Sequence, residues 1–308
     1  MKEKFIDRKD QQANKIFERR TLSSDYRTII PLLSPGMEIL DVGCGTGTLT
    51  NEVASYIGDG TITGLDNTQS FIDSGNERYG STQNLNLVCS NIFDYQPPHP
   101  FDLIITARTM QWLSDIPRAL GLFKSWLKPG GQISILDYNH TAIEWKPAPP
   151  ESMLTFYRTF LKWRADAGMN NRVADEIGAL LQEAGFHSVQ VINADQTYKK
   201  GEANFDTNLA IWNKVAQSRQ MVTEGYISDE LRLQAIAEYS QWIETEATSM
   251  TLKMNDVRAK VLSPFIRFAP TDTPRAGRKS TAQGYDDQCR QPQPSFYFNG
   301  GEGYPHCL

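Results

Sequence analysis

"ILDVGCGTGTLT", residues 39–50, places three glycines at alternating positions directly after an acidic residue that closes an apolar run. Gly43, Gly45 and Gly47 have no side chains to pack, so they serve a backbone that bends tightly or comes very close to something. The apolar run before them reads as a buried strand, and Thr48 to Ile57 after them as a helix.

Working outward, the same alternation continues. TITGLD (61–66), LNLVCS (85–90), FDLIITA (101–107) and QISILDY (132–138) read as strands, with helical patterns over Thr68–Tyr79 and Ile116–Leu127. Strands separated by helices of this length predict right-handed crossovers and a parallel, doubly wound sheet, covered on both faces. KPGG (128–131) reads as a helix stop followed by a turn. Upstream, the spacing predicts a helix over Asp10–Leu33, ended by Pro35-Gly36. Beyond Tyr138 the spacing predicts helices at Met153–Ala167, Val173–Ala184, Phe205–Glu224 and Asp229–Ala247. Strands are expected at SVQVINA (188–194) and, unbroken, at 249–261. These late helices are expected to form a lid over the sheet.

Composition narrows the partners. The chain has 308 residues and a formal net charge of -5, which argues against a general affinity for nucleic acid or anionic membranes. Its four cysteines form no CxxC pair and no zinc-ligand spacing with histidine, so no metal is expected and a reducing cytoplasm fits. The N-terminal residues lack a signal peptide's apolar core, and PHCL at the C-terminus has its cysteine in the wrong place for lipidation. From Ser263 to Leu308 the composition turns to Pro, Gly, Gln, Arg and Ser, which predicts a disordered tail.

In an open parallel sheet, ligands sit beyond the carboxyl ends of the strands where the strand order reverses. A dinucleotide fingerprint would be GxGxxG, but Thr48 stands where the third glycine belongs, and no GK[ST] ending marks a phosphate loop. "LDVGCGTG" resembles instead the first motif of class I S-adenosylmethionine-dependent methyltransferases, a similarity that runs over about residues 15–140. The resemblance implies a Rossmann-like, mostly parallel seven-stranded sheet with a helical lid inserted among the late elements. It also implies S-adenosyl-L-methionine as cofactor. The loop (Asp41, Gly43, Cys44, Gly45, Gly47) would lie against its methionyl portion, and Asp66, with Asn67 beside it, would bind the ribose hydroxyls. A carboxylate suits a vicinal diol because it offers two acceptor oxygens to two donors. Asn91 and Ile92 stand where family members hold adenine, with Asp94 as the alternative acidic group. Ala107 and Arg108 would line the cofactor, with Gln111 and Trp112 on the following turn. Arg20, preferred to Arg19, would grip the cofactor's carboxylate through two parallel bonds.

The resemblance implies methyl transfer by in-line displacement at a sulfonium, where alignment and exclusion of water matter most. His140 is the base candidate among the four histidines, and Tyr138 stands with it at the rim of the fifth strand. The lid supplies many aromatic residues, among them Trp145, Phe156, Tyr157, Trp163 and Trp212, which would suit a planar or apolar small-molecule acceptor. Arg164, Asn170, Asn171 and Arg172 could hold an acidic group or cap a helix. The expected organisation is a cofactor-binding core with its N-terminal helix (1–140), the rest of the sheet with the lid (141–262), and the tail (263–308). Methyltransferases acting on tRNA or protein, a non-catalytic cofactor-binding protein and a nicotinamide-dependent oxidoreductase are the alternatives.

Overall fold

A computed structural model of the protein describes residues 20–263. Its main sheet has seven strands: β1 (Glu38–Val42), β2 (Thr61–Asp66), β3 (Leu85–Cys89), β4 (Phe101–Ala107), β5 (Leu127–Tyr138), β7 (His187–Asn193) and β10 (Met254–Lys260). They lie in the order β3-β2-β1-β4-β5-β10-β7. The first five pair in parallel, and β10 runs antiparallel to both β5 and β7. The strand order reverses between β1 and β4, so the glycine loop leaves the sheet at its switch point.

Alternation along the strands explains why both faces are covered. Ile39, Leu103 and Ile105 point into one apolar cluster, and Leu40, Val42 and Ile104 into another. The first cluster takes in the helices Thr48–Tyr56, Glu151–Asp166 and Asp229–Thr245; the second takes in Ile116–Trp126 and Val173–Glu183. Phe123 and Ile177, both fully buried in the second cluster, each contribute about 2 kcal/mol through the apolar area they remove from water.

A second, three-stranded antiparallel sheet had no signature in the sequence. β6 (Glu144–Lys146), β9 (Ser249–Leu252) and β8 (Gln196–Lys199) pair in that order. The expected single strand over 249–261 is therefore two. The chain breaks at Lys253, whose ammonium meets Asp195 and Glu144, while the Asp195 carboxylate accepts the Met254 N–H at 2.9 Å.

Other expectations are corrected in similar ways. The helix expected over Asp10–Leu33 lies outside the described residues up to Arg19. Beyond that it is a helix Leu22–Asp25 and a 3-10 turn Arg27–Leu32, separated by Tyr26 at φ -148. Lys128–Gly131 is not a turn between elements. It belongs to β5, where Leu127 pairs with Phe101 and Gln132 with Leu103, so β5 carries three extra residues in a bulge. The helix expected over Phe205–Glu224 is three short ones, Phe205–Leu209, Ile211–Gln217 and Gln220–Thr223. The tail expected from 263 lies outside the described residues from position 264 on.

Candidate active site

Register brings the site together. Val42 pairs with Leu65 on one side and Thr106 on the other, so Gly43 emerges level with Asp66 and Ala107. The N–H groups of Gly43 and Cys44 both donate to the Leu65 carbonyl, at 2.7 and 3.1 Å, which folds the loop back toward β2. Gly43 has φ +76, and a Cβ there would lie 2.0 Å from Thr109 Oγ1, so the fold itself requires glycine. Gly45 has φ +59, yet nothing lies within 4 Å of where its Cβ would be. Its missing side chain leaves open space at the cavity wall.

Asp66 is buried beside that opening. One carboxylate oxygen accepts the Gly45 N–H at 3.0 Å and the other the Thr68 N–H at 2.9 Å, and each keeps a further lone pair. Asp41 turns the other way and accepts the Thr50 hydroxyl at 2.7 Å; burial pushes its pKa up to about 7. Burial, with Asp41 and Asp66 adding to it, also holds the Cys44 thiol well above its ordinary range, so it packs rather than reacts.

The cavity in front of this loop has a volume of about 1240 Å³. That exceeds the roughly 300–1,000 Å³ of a site for one drug-sized ligand, so it has room for two. Gly43, Cys44, Gly45, Asp66 and Asn67 line one end, as do Asn91 and Ile92, whereas Asp94 is not on the wall. The Asn91 amide oxygen accepts the Phe93 N–H at 2.9 Å, fixing the side chain against its own turn. The opposite wall is apolar and aromatic, with Phe160, Trp163, Met169, Trp212 and Met221 from the lid. Arg20, Ala107, Arg108, Gln111, Trp112, Tyr138 and His140 lie on the wall as well.

Arg108 ends β4 with φ +60, a conformation rare outside glycine that persists where surroundings over-determine it. Its Nε donates to the Tyr138 hydroxyl at 2.7 Å, and its Nη2 reaches the Asp25 carboxylate and Gln196 Oε1, both at 3.3 Å. Burial alone would lower its pKa, but Tyr138, Asp25 and Tyr198 outweigh that and raise it. Neighbouring Arg20 is lowered to about 10, first by burial and then by the charge of Arg108.

His140 is held on both sides. Gln111 Nε2 donates to the Arg108 carbonyl, which turns its Oε1 toward His140 Nε2 at 2.5 Å and makes that nitrogen the protonated one. Nδ1 faces the Tyr157 hydroxyl at 3.4 Å, and that hydroxyl donates to the His140 carbonyl at 2.7 Å. Burial, and then the charge of Arg164, push the imidazole well below its usual range, so it stays neutral.

Sequence reasoning placed Arg164 on the lid without its role in the fold. Its guanidinium is fully buried, donates to the Gln111 carbonyl at 2.8 Å and to Asn171 Oδ1 at 2.7 Å, and stacks 4.4 Å from the Trp112 ring. It fastens the helix Glu151–Asp166 to the turn after β4. Asp25 and Gln196 were missed, because they reach the site through contacts 83 and 88 residues apart in sequence. Among the described residues, no group of three His, Cys, Asp or Glu could hold a metal ion, and no helix is long and apolar enough to cross a membrane.

A family described as "Methyltransferase domain" matches residues 39–131, from the first strand through the end of the bulge in β5. Over that stretch the chain is similar to a methyltransferase domain. The chain is 35% identical over 95 residues to malonyl-[acyl-carrier protein] O-methyltransferase 2 of Ilyobacter polytropus, covering 31% of this chain and 37% of that one. It is 30% identical over 172 residues to phosphoethanolamine N-methyltransferase 1 of Arabidopsis thaliana, covering 54% of this chain and 31% of that one. The chain thus spans about a third of the length of these curated relatives.

The chain is also similar in fold to solved structures. Haemonchus contortus phosphoethanolamine N-methyltransferase 2, in complex with phosphomonomethylethanolamine and S-adenosylhomocysteine, aligns with TM-score 0.52 at 16% identity, over 82% of this chain and 57% of that one. The YcgJ protein of Bacillus subtilis aligns with TM-score 0.52 at 16% identity, over 77% and 97%.

Proposed function

We propose that the protein transfers a methyl group from S-adenosyl-L-methionine to a small-molecule acceptor. The observation that carries this reading is the join of Gly45 and Asp66: a bare main chain faces the cavity, with a buried carboxylate bonded to its N–H at 3.0 Å. The residues fit such a nucleoside. The open space at Gly45 admits the amino-acid portion, Asp66 has an unused lone pair on each oxygen for the two ribose hydroxyls, and Ile92 offers an apolar surface to the base. Arg20 takes the carboxylate, with Ala107 and Arg108 alongside. When bound, the cofactor supplies a methyl group on an electrophilic sulfonium.

What remains for the protein is to orient the acceptor and keep water out. The aromatic wall does both, and Trp212 packs 4.7 Å from Tyr157 and 6.2 Å from His140 to hold that wall together. We assign His140 a positioning role: a neutral ring, already donating to Gln111, shapes the wall and does not wait to collect a proton. Tyr138, whose oxygen accepts from Arg108 Nε, still has a hydroxyl hydrogen to offer the acceptor.

Incubating the full chain with methyl-labelled cofactor and a metabolite extract tests this directly. Label is expected in a low-molecular-weight product; label in tRNA or protein, or none at all with the cofactor bound, would overturn it.

A further inference from the structure

Arg108 carries a feature that the cofactor site leaves unexplained. Its side chain is 5% exposed, yet among the described residues its Nη1 has no hydrogen-bond partner. A buried charged donor without an acceptor is costly, and such groups are retained where something else completes them. Arg108 lines the cavity, so a ligand bound there lies beside its guanidinium.

The local charge points the same way. Arg20 and Arg108 are both protonated at neutral pH; Arg108 is buried and Arg20 half-buried. Asp25 is the carboxylate paired with Arg108, at a long 3.3 Å, with a side chain 19% exposed. Arg108 thus faces the cavity with one long carboxylate contact and an idle Nη1. The donor proposed above brings one carboxylate for Arg20, but also a sulfonium. The groups that hold Arg108, Tyr138 at the end of β5 and Gln196 on β8, come from the late strands and not from the glycine loop.

We propose that Arg108 Nη1, with the Tyr138 hydroxyl beside it, anchors an oxyanion on the methyl acceptor, a carboxylate or a phosphate. The inference rests on the methyltransferase reading and narrows its substrate class. A neutral acceptor of the same shape leaves Nη1 unpaired and is rejected for that reason.

Calorimetry on the full chain tests it with benzoate and phenyl phosphate as anionic probes and benzamide as the neutral counterpart, each titrated with and without S-adenosylhomocysteine. At least one anion is expected to bind about tenfold tighter than benzamide, the worth of one charged hydrogen bond, and the better of the two identifies carboxylate or phosphate. Arg108→Gln, compared with wild type at saturating S-adenosylhomocysteine because Arg108 also lies beside the cofactor, should abolish that preference, and Tyr138→Phe should weaken the anion about threefold. Arg108→Lys, which keeps the charge, should retain part of the preference and serves if the glutamine variant does not fold. Equal binding of benzamide and both anions by wild type, or a preference for the anion that Arg108→Gln retains, would overturn the inference. A wild-type protein that prefers the anions but binds no S-adenosylhomocysteine would sink the methyltransferase reading alone.

Discussion

The glycine loop and the lid wall face each other across one cavity, but they are built by different means. The loop at residues 43–47 is main chain: the N–H groups of Gly43, Cys44 and Gly45 are committed to Leu65 and Asp66, and its shape depends on positive φ values. The lid wall is side chain: Arg164, Gln111, His140 and Tyr157 hold one another through bonds that cross from the lid helix Glu151–Asp166 to the turn after β4. A change in the loop therefore acts through backbone strain and space, and a change in the wall through lost partners.

The largest expected effect separates two adjacent glycines. Gly43→Ala puts a methyl group into Thr109 at a left-handed position, and should cost about 2–4 kcal/mol of stability together with all cofactor binding. Gly45→Ala meets nothing in the free protein, so its stability cost should be about 1 kcal/mol, the left-handed backbone alone. Denaturant titration of the two variants beside wild type checks the ranking.

On the other wall, Arg164→Met should cost about 2–4 kcal/mol, because it strands the Gln111 carbonyl and Asn171 Oδ1 in a dry interior. Its effect on S-adenosylhomocysteine affinity should be smaller than that of Asp66→Asn, which we expect to weaken binding about 10- to 100-fold. If Arg164→Met proves as stable as wild type, the wall is not held as described.

The smallest effect distinguishes the two sides by sign. Asp41, on the loop side, has its folded pKa raised by burial to about 7 from 3.8, so its contribution to stability is full below about pH 4 and is lost as pH rises through 7. His140, on the lid side, has its folded pKa depressed by burial, so its contribution is present above about pH 6.5 and is lost as pH falls below it. The stability of Asp41→Asn relative to wild type should therefore rise between pH 4 and 7. That of His140→Gln should rise as pH drops below 6.5. Urea unfolding at pH 5 and 7.5 reads both slopes, and slopes of the same sign would contradict the assignment.

This division also explains what was legible in the sequence. The glycine spacing, Asp66 and the strands alternating with helices were readable because main-chain requirements are local: a turn at positive φ admits few residues, and a strand between two apolar layers is apolar along its length. The break at Lys253 was not, since it depends on Asp195 and Glu144 closing around one ammonium. Nor was the neutral state of His140, which follows from Gln111 being turned by the Arg108 carbonyl and from burial under lid aromatics. Its type and place at the end of the fifth strand suggested a base; its surroundings made it a fixed donor.

The central claim is that the open main chain at Gly45 and the carboxylate of Asp66 together form a nucleoside site. Titrating S-adenosylhomocysteine into wild type and into Gly45→Ala, each shown to be folded by its unfolding transition, tests this most directly. Saturable binding by wild type and at least about tenfold weaker binding by the variant is the expected result. Equal affinity in the two proteins, or no heat with folded wild type, would contradict it.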